Sequence, residues 1–197
     1  MLHMSNAHDH PLPKHEFLAG RLALDFCNTL SRADSELWGP APRDRIAEGR
    51  DFHAWAKRRG LALDRAPSPA ALKRLHRLRA ALFAVFDAVC DGTEPRAPDL
   101  AVLNAELSAA RLAERLVPGR KGYVLTDGAG GLDRLRHDIA RDAAELLLGD
   151  PRRIKACPND ECRWLFHDAS KNLSRRWCAM DDCGTRDKVR RFRRRQD

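Results

Sequence analysis

The sequence predicts a mainly α-helical fold: a helical N-terminal domain with a minor β element, then a small four-cysteine module ending in a basic helix. Three observations predict it. Segments between residues 68 and 148 carry apolar side chains at helical spacing. Four of the six cysteines lie within residues 157–183, and 14 of the 36 Lys and Arg residues lie within residues 151–197.

Charge is distributed unevenly along the chain. Residues 1–150 carry 22 Lys+Arg and 21 Asp+Glu, whereas residues 151–197 carry 14 and 7, so +7 of the formal +8 lies in the last quarter. No apolar run reaches the roughly 20 residues that a membrane helix needs, so we expect a cytoplasmic protein without a membrane partner. We predict a flexible leader (1–15), a helical domain (16–150) and a basic module (151–197).

The elements before residue 93 are predicted from apolar spacing and capping residues. Mixed spacing over residues 16–31 favours a helix there. Asp51 is predicted to cap a short helix that ends near Gly60. Ser68-Pro69 opens the clearest helix of the chain, because serine is a preferred N-cap and proline fits the first turn; this helix is expected to stop near Gly92.

The remaining elements of the first domain follow the same rules. A second helix is predicted after Pro98, with an apolar stripe that reaches Leu116 and ends before Pro118. Gly122–Thr126 is typical of a short strand before a glycine-rich turn. A third helix is predicted over Leu132–Leu148, and the Gly-Asp-Pro sequence after it marks the expected domain boundary.

Four cysteines form two C-x4-C pairs that are separated by fifteen residues: Cys157, Cys162, Cys178 and Cys183. Tetrahedral zinc needs four soft donors, and a charged module of this size buries too little apolar surface to fold without a metal. We therefore predict one structural zinc ion, with no ligand position left for water. His167 in place of one thiolate, and unligated core cysteines, are the alternatives.

Seven cations and one anion occupy residues 186–195. Val189 and Phe192 are three residues apart, which predicts a helix that docks one face on the metal site and points its arginines outward. Such a dense cationic segment is typical of an anion-binding surface, and the expected anion is a nucleic-acid backbone.

The candidate nucleic-acid contacts share a positive charge and a position between or after the cysteine pairs: Lys171, Arg175, Arg176, Arg186, Lys188, Arg190, Arg191, Arg193 and Arg194. Arg175, Arg176 and Arg186 lie close to cysteines, so we expect them to make the more ordered contacts. The cations after residue 189 are expected to add affinity that does not depend on base sequence.

Polar side chains interrupt two apolar segments of the first domain. Asp25, Asn28 and Thr29 share one face if their segment is helical, and Arg79 is the expected countercharge. Two hypotheses follow. The group is either a buried hydrogen-bonded network that fixes helix packing, or the polar floor of a small-molecule site with Trp55 as its wall.

Two motifs resemble a known architecture. Residues 157–186 read CxxxxCxWLFxDxSKNxSRRWCxMxxCGTR, which resembles the CGNR zinc finger, named for its Cys-Gly-Asn-Arg signature. Residues 17–29, FLAGRLALDFCNT, resemble the opening of the ABATE domain that usually precedes this finger. The resemblance covers most of the chain and implies a bacterial, stress-related transcription regulator with a DNA-binding finger and a ligand-sensing first domain. Thr185 stands where the signature has Asn, which leaves the role of that position open.

The leading hypothesis is a transcription regulator that binds DNA through the zinc module and senses a small ligand in the helical domain. An RNA- or ribosome-associated zinc protein, an enzyme with its site in the helical domain, and a basic tail that binds other proteins are the alternatives. The sequence has no glycine-rich phosphate loop, no GxSxG and no HExxH motif, so an enzyme is the less expected class. The oligomeric state is not predicted.

Overall fold

The structure, a computed structural model, describes residues 16–32 and 42–195; the predicted leader 1–15 lies outside them. Its helices are α1 (Leu22–Cys27), α2 (Gly49–Arg58), α3 (Pro69–Cys90), α4 (Ala97–Ala113), α5 (Gly131–Leu148) and α6 (Thr185–Arg193). Its strands are β1 (Leu30–Ser31), β2 (Arg43–Asp44), β3 (Glu114–Gly119), β4 (Gly122–Asp127), β5 (Ile154–Ala156) and β6 (Leu165–His167). The mainly helical fold is confirmed.

Helix α3 is the central element of the first domain. It begins where the sequence predicts, because the Ser68 side chain accepts a hydrogen bond from the backbone N–H of Ala71 at 3.3 Å and Pro69 fills the first helical position. Its buried side packs against α1 and α4, and α5 packs against the same two helices. The four helices thereby enclose one apolar core.

Two predictions near the N-terminus are corrected. The helix expected over residues 16–31 is shorter: α1 is followed by β1, which pairs antiparallel with β2. Asp51 is not the cap of α2. It lies at the third helical position and accepts a hydrogen bond from the Glu48 backbone N–H at 3.0 Å, so Glu48 is the N-cap of a capping box.

Strand β3 was not predicted, because Leu116 continues the apolar stripe of α4 and Pro118 is unfavourable inside a strand. The structure ends α4 at Ala113, and β3 pairs with β4 in a regular antiparallel hairpin from Glu114 opposite Asp127 to Gly119 opposite Gly122. Leu116 therefore lies in a strand and not in a helix. The strand predicted over Gly122–Thr126 is present as β4.

The basic module packs directly on the helical domain. Strands β5 and β6 pair antiparallel and contact α1 and α3. Successive side chains of a strand point to opposite faces, so Leu165 joins the core of the first domain while Phe166 joins a second cluster around the cysteines. None of the helices in the described ranges combines the length and the apolar character that crossing a membrane requires.

Candidate metal centre and nucleic-acid surface

The four cysteines of the C-x4-C pairs converge on one point. All four Sγ atoms lie within 4.8 Å of one another, with 3.5 Å between Cys162 and Cys178 and 3.6 Å between Cys178 and Cys183. A zinc ion about 2.3 Å from four tetrahedral sulfurs spaces those sulfurs about 3.8 Å apart. The residues fit the ion. The chain's cofactor is one structural zinc, and its four protein ligands leave no open position for water or substrate.

Main-chain hydrogen bonds shape the loop that carries the first pair of cysteines. The backbone N–H of Cys157 donates to the Trp164 carbonyl, and that of Cys162 donates to the Asn159 carbonyl, both at 2.8 Å. The Asn159 side-chain oxygen accepts from the Glu161 N–H at 3.2 Å. These hydrogen bonds fix the turn that presents both thiols to the same point.

A π-helical turn over Met180–Gly184 carries the last cysteine. A Cβ on Gly184 would lie 2.6 Å from Met180 Sδ and 3.1 Å from Trp177 Cδ1, so a larger residue would require these side chains to shift. Thr185, which replaces the signature Asn, has a right-handed conformation with φ −69°, and its hydroxyl donates to the Met180 carbonyl at 3.1 Å. The departure at residue 185 is thus accommodated without backbone strain.

Four thiolates around one Zn²⁺ leave an excess of negative charge. Arg186 offsets part of the charge: its Nη2 lies 3.4 Å from Cys183 Sγ. Burial lowers the Arg186 pKa, but Cys183 and nearby carboxylates raise it overall, so Arg186 stays charged against the metal centre.

Arg175 turns inward and not toward solvent. Its guanidinium donates to the backbone carbonyls of Leu18, His167, Trp177 and Cys178 at 2.6–3.1 Å, and it lies 4.5 Å from the Phe166 ring centroid. Four of the five guanidinium N–H donors of Arg175 are taken by carbonyls, which leaves one for a nucleic acid, and the predicted contact at Arg175 stays a prediction. Arg175 joins the module to the segment before α1.

Asp168 is a buried acceptor that the sequence reasoning missed. Its carboxylate accepts hydrogen bonds from Lys155 Nζ and Ser170 Oγ, both at 2.6 Å, and from the Arg175 backbone N–H at 3.0 Å. Burial alone would raise its pKa, but the hydrogen bonds from Lys155 and Ser170 hold that pKa well below the usual range. The Asp-x-Ser pattern is a turn signal that could have identified it.

The prediction that helix α6 docks on the metal site through its apolar residues is wrong. Val189 and Phe192 are 45% and 62% exposed, because Trp164 and Trp177 already pack against the cysteine cluster. Polar contacts hold the helix instead. Arg190 lies 3.4 Å from the Asn159 side-chain oxygen and 3.6 Å from the Glu161 carboxylate.

Six of the nine predicted nucleic-acid residues expose their side chains to solvent, and we name them the outer cations: Lys171, Arg176, Lys188, Arg191, Arg193 and Arg194. Arg191 is paired with Asp187 at 2.6 Å one helical turn before it, and Arg176 lies over the Trp177 ring. Arg190 is partly buried.

Asp25 and Asn28, two residues of the predicted ligand site, are buried and hydrogen-bonded to protein. The Asn28 side-chain N–H donates to the Leu165 carbonyl at 2.8 Å, and the Asn28 side-chain oxygen accepts from the Leu165 N–H at 3.0 Å. The Asn28 amide thus makes the two hydrogen bonds that a residue of a paired β-strand would make. Asp25 accepts from the Ala19 N–H and from Arg59, both at 3.1 Å. Burial nevertheless raises the Asp25 pKa to about 6.

The other three residues of that predicted site also contact protein. Arg79 donates to Thr29 Oγ1 at 2.9 Å and pairs with Asp44 at 2.7 Å, so its countercharge is Asp44 and not Asp25. Trp55 is 1% exposed within an aromatic cluster. Among the described residues, Trp55 Nε1 and Arg79 Nε are buried donors without a partner. The small-molecule site stays a prediction.

Two family models match the chain. The ABATE model, described as "Putative stress-induced transcription regulator", matches residues 20–150. The CGNR zinc finger model matches residues 153–196, which contain all four clustered cysteines. No curated protein is similar enough in sequence to match.

Proposed function

The chain belongs to the ABATE family and ends in a CGNR zinc finger, and from this premise we propose that it is a transcription regulator that binds duplex DNA through the outer cations. The observation that carries the proposal is that the cations of the finger fall into two groups, one bound within the protein and one exposed to solvent. Arg175 and Arg186 are tied to carbonyls and to the metal centre, whereas the outer cations face solvent.

The position of α6 supports the proposal. The helix is held to the metal loop through Arg186 and Arg190, so its remaining cations are carried on a fixed support. An α-helix with its side chains is about 10–12 Å in diameter, which matches the roughly 12 Å width of the DNA major groove. Lys171 and Arg176 are two further exposed cations outside the helix. Contacts of this kind neutralise phosphates and supply affinity that is independent of base sequence.

The zinc ion has an organising role in this proposal. When bound, it supplies the crosslink that keeps the two cysteine loops together, and its four thiolate ligands leave no site for substrate. Arg186 holds positive charge against Cys183, and Asp168 holds the loop that carries Lys171 and Arg176. We do not extend the proposal to a small ligand, because Asp25, Asn28, Thr29 and Arg79 already have protein partners.

The test is equilibrium binding of the full, zinc-loaded chain to labelled duplex DNA, structured RNA and single-stranded DNA at one salt concentration. The variant replaces Arg191, Arg193 and Arg194 with Gln. The matched control replaces Lys73, Arg74 and Arg77, three exposed cations of α3, with Gln and makes the same change in net charge. We expect the first variant to lose about tenfold or more in duplex affinity and the control to lose little.

Two results would overturn the proposal. Equal loss of affinity in the two variants would mean that DNA responds to total charge and not to the outer cations. Tighter binding to structured RNA than to duplex DNA at matched salt would favour the RNA-associated alternative.

A further inference from the structure

The β3–β4 hairpin exposes apolar side chains that the rest of the described chain does not cover. Nine large apolar side chains are exposed in the described residues, and five of them lie between residues 112 and 125: Leu112, Leu116, Tyr123, Val124 and Leu125. The hairpin touches the helical body mainly near its base, where Asp127 pairs with His137 and Arg141. A two-stranded hairpin without a third strand or a covering helix is marginally stable in water.

The pairing register defines which backbone groups of the hairpin point outward. Gly119 and Gly122 flank a two-residue turn, so they form a hydrogen-bonded pair, and bonded and non-bonded pairs alternate from there. The Gly128 N–H donates to the Ala113 carbonyl at 2.8 Å, which confirms the alternation at the other end. Pro118 and Leu125 therefore belong to non-bonded pairs, whose backbone groups face away from the hairpin.

The two edges of the hairpin differ in what they offer to another strand. On the β3 edge, Pro118 occupies an outward position and has no N–H to donate, which blocks regular pairing. On the β4 edge, Tyr123 and Leu125 present outward N–H and C=O groups, with no proline, charge or bulge between them. Their side chains share one face with Leu116, because directly opposed residues and alternate residues lie on the same side of a sheet.

We propose that the β4 edge pairs antiparallel with the β4 edge of a second copy of this chain, so that two hairpins form a four-stranded sheet. In the register centred on Val124, Tyr123 of each copy lies opposite Leu125 of the other. Each apolar face also doubles in width.

A second copy fits this edge because the pairing closes on itself. An antiparallel contact between identical edges is related by a two-fold axis and uses the same surface twice. Since Pro118 blocks the β3 edge, the sheet stops at two copies and does not grow into a fibre. The inference is independent of DNA binding, and its test does not involve nucleic acid.

The first test is the molar mass of the full, zinc-loaded chain in solution across a concentration series. We expect twice the chain mass of 22.2 kDa. Leu125→Pro removes only an outward N–H and a side chain on the paired edge, as Pro118 shows for the opposite strand, and should give a monomer with unchanged circular dichroism. The control Leu148→Lys changes an 87% exposed leucine at the end of α5 and should stay dimeric.

The second test fixes the register. Val124→Cys should form a disulfide-linked dimer on mild oxidation, because non-bonded cross-strand pairs have Cα atoms about 4.5 Å apart, within disulfide range. Leu116→Cys, on the blocked edge, should stay unlinked. A wild-type monomer at every concentration, a dimer that survives Leu125→Pro, or equal crosslinking of the two cysteine variants would each overturn the proposal.

Discussion

The inner and outer parts of the zinc finger use the same residue types in opposite ways. The inner part consists of strands β5 and β6 with Arg175 and faces the helical domain. The outer part consists of α6 together with the outer cations that lie outside this helix. Arg175 and Arg176 are neighbours in sequence, yet the first donates to four backbone carbonyls and the second is exposed over Trp177. Positive charge stabilises the fold in one part and is available to a partner in the other.

The metal centre joins the two parts. Cys157 and Cys162 belong to the loop between β5 and β6, whereas Cys178 and Cys183 lead into α6. Strand β6 sends Leu165 into the core of the helical domain and Phe166 into the cysteine cluster. Loss of the metal should therefore disorder the support of the exposed cations and also destabilise the core of the first domain.

Removal of zinc is expected to have the largest effect. A chelator, or Cys183→Ser, should abolish the cooperative folding of the finger and also lower the Tm of the helical domain, because Leu165 and Asn28 lose their fixed partners. The measurement is thermal unfolding followed by far-UV circular dichroism together with tryptophan fluorescence and zinc content.

Cys90→Ser is the matched control for zinc removal, since Cys90 lies outside the metal cluster and its Sγ lies 3.4 Å from the Ile154 carbonyl. It should retain one zinc per chain and a single transition near the wild-type Tm. A helical domain that unfolds at an unchanged temperature after chelation would contradict the coupling between the two parts.

Substitution of the neighbouring arginines should separate stability from binding. Arg175→Ala leaves four carbonyls without a donor and should lower the free energy of unfolding by about 3 kcal/mol. Arg176→Ala should change it by less than about 0.5 kcal/mol but weaken duplex DNA binding several-fold. Urea unfolding and DNA titration of both variants check this. The contrast between inner and outer cations fails if the two variants lose stability equally.

A smaller, pH-dependent effect is expected where the inner part rests on the first domain. Asp25 accepts the Ala19 N–H, and the Ala19 carbonyl accepts the His167 N–H at 2.8 Å. Because burial raises the Asp25 pKa from 3.8 to about 6, the folded state binds a proton more tightly than the unfolded state. Asp25 should therefore contribute about 2 kcal/mol more to the free energy of unfolding at about pH 4 than above pH 6.

Asp25→Asn provides the control for this pH dependence. The amide oxygen can still accept the Ala19 N–H, but the side chain no longer titrates. The difference in unfolding free energy between wild type and Asp25→Asn should change between pH 4 and pH 7. A constant difference over that range would contradict the raised pKa.

Features set by short-range chemistry could be predicted from the sequence. Ser68 and Pro69 define the start of α3 because the capping hydrogen bond and the first-turn geometry involve residues a few positions apart. The spacing of the cysteines likewise predicts the four-sulfur cluster, because each pair is presented by one short loop. These predictions needed no knowledge of how distant segments pack.

Features set by long-range packing could not be predicted. Asn28 and Leu165 are hydrogen-bonded partners 137 residues apart, and no local pattern links them. The inward turn of Arg175 depends on carbonyls of β6 and of the segment before α1, which spacing does not reveal. Strand β3 was missed because Pro118 argues against a strand unless its position in the hairpin register is known.

The salt dependence of duplex DNA binding tests the central claim most directly. The logarithm of the binding constant falls linearly with the logarithm of salt concentration, with a slope of about −0.9 per phosphate contact. Replacing Arg191, Arg193 and Arg194 with Gln should make that slope shallower by about 2 to 3, while the Lys73, Arg74 and Arg77 control keeps the wild-type slope. An unchanged slope in the first variant would show that the outer cations do not contact the DNA backbone.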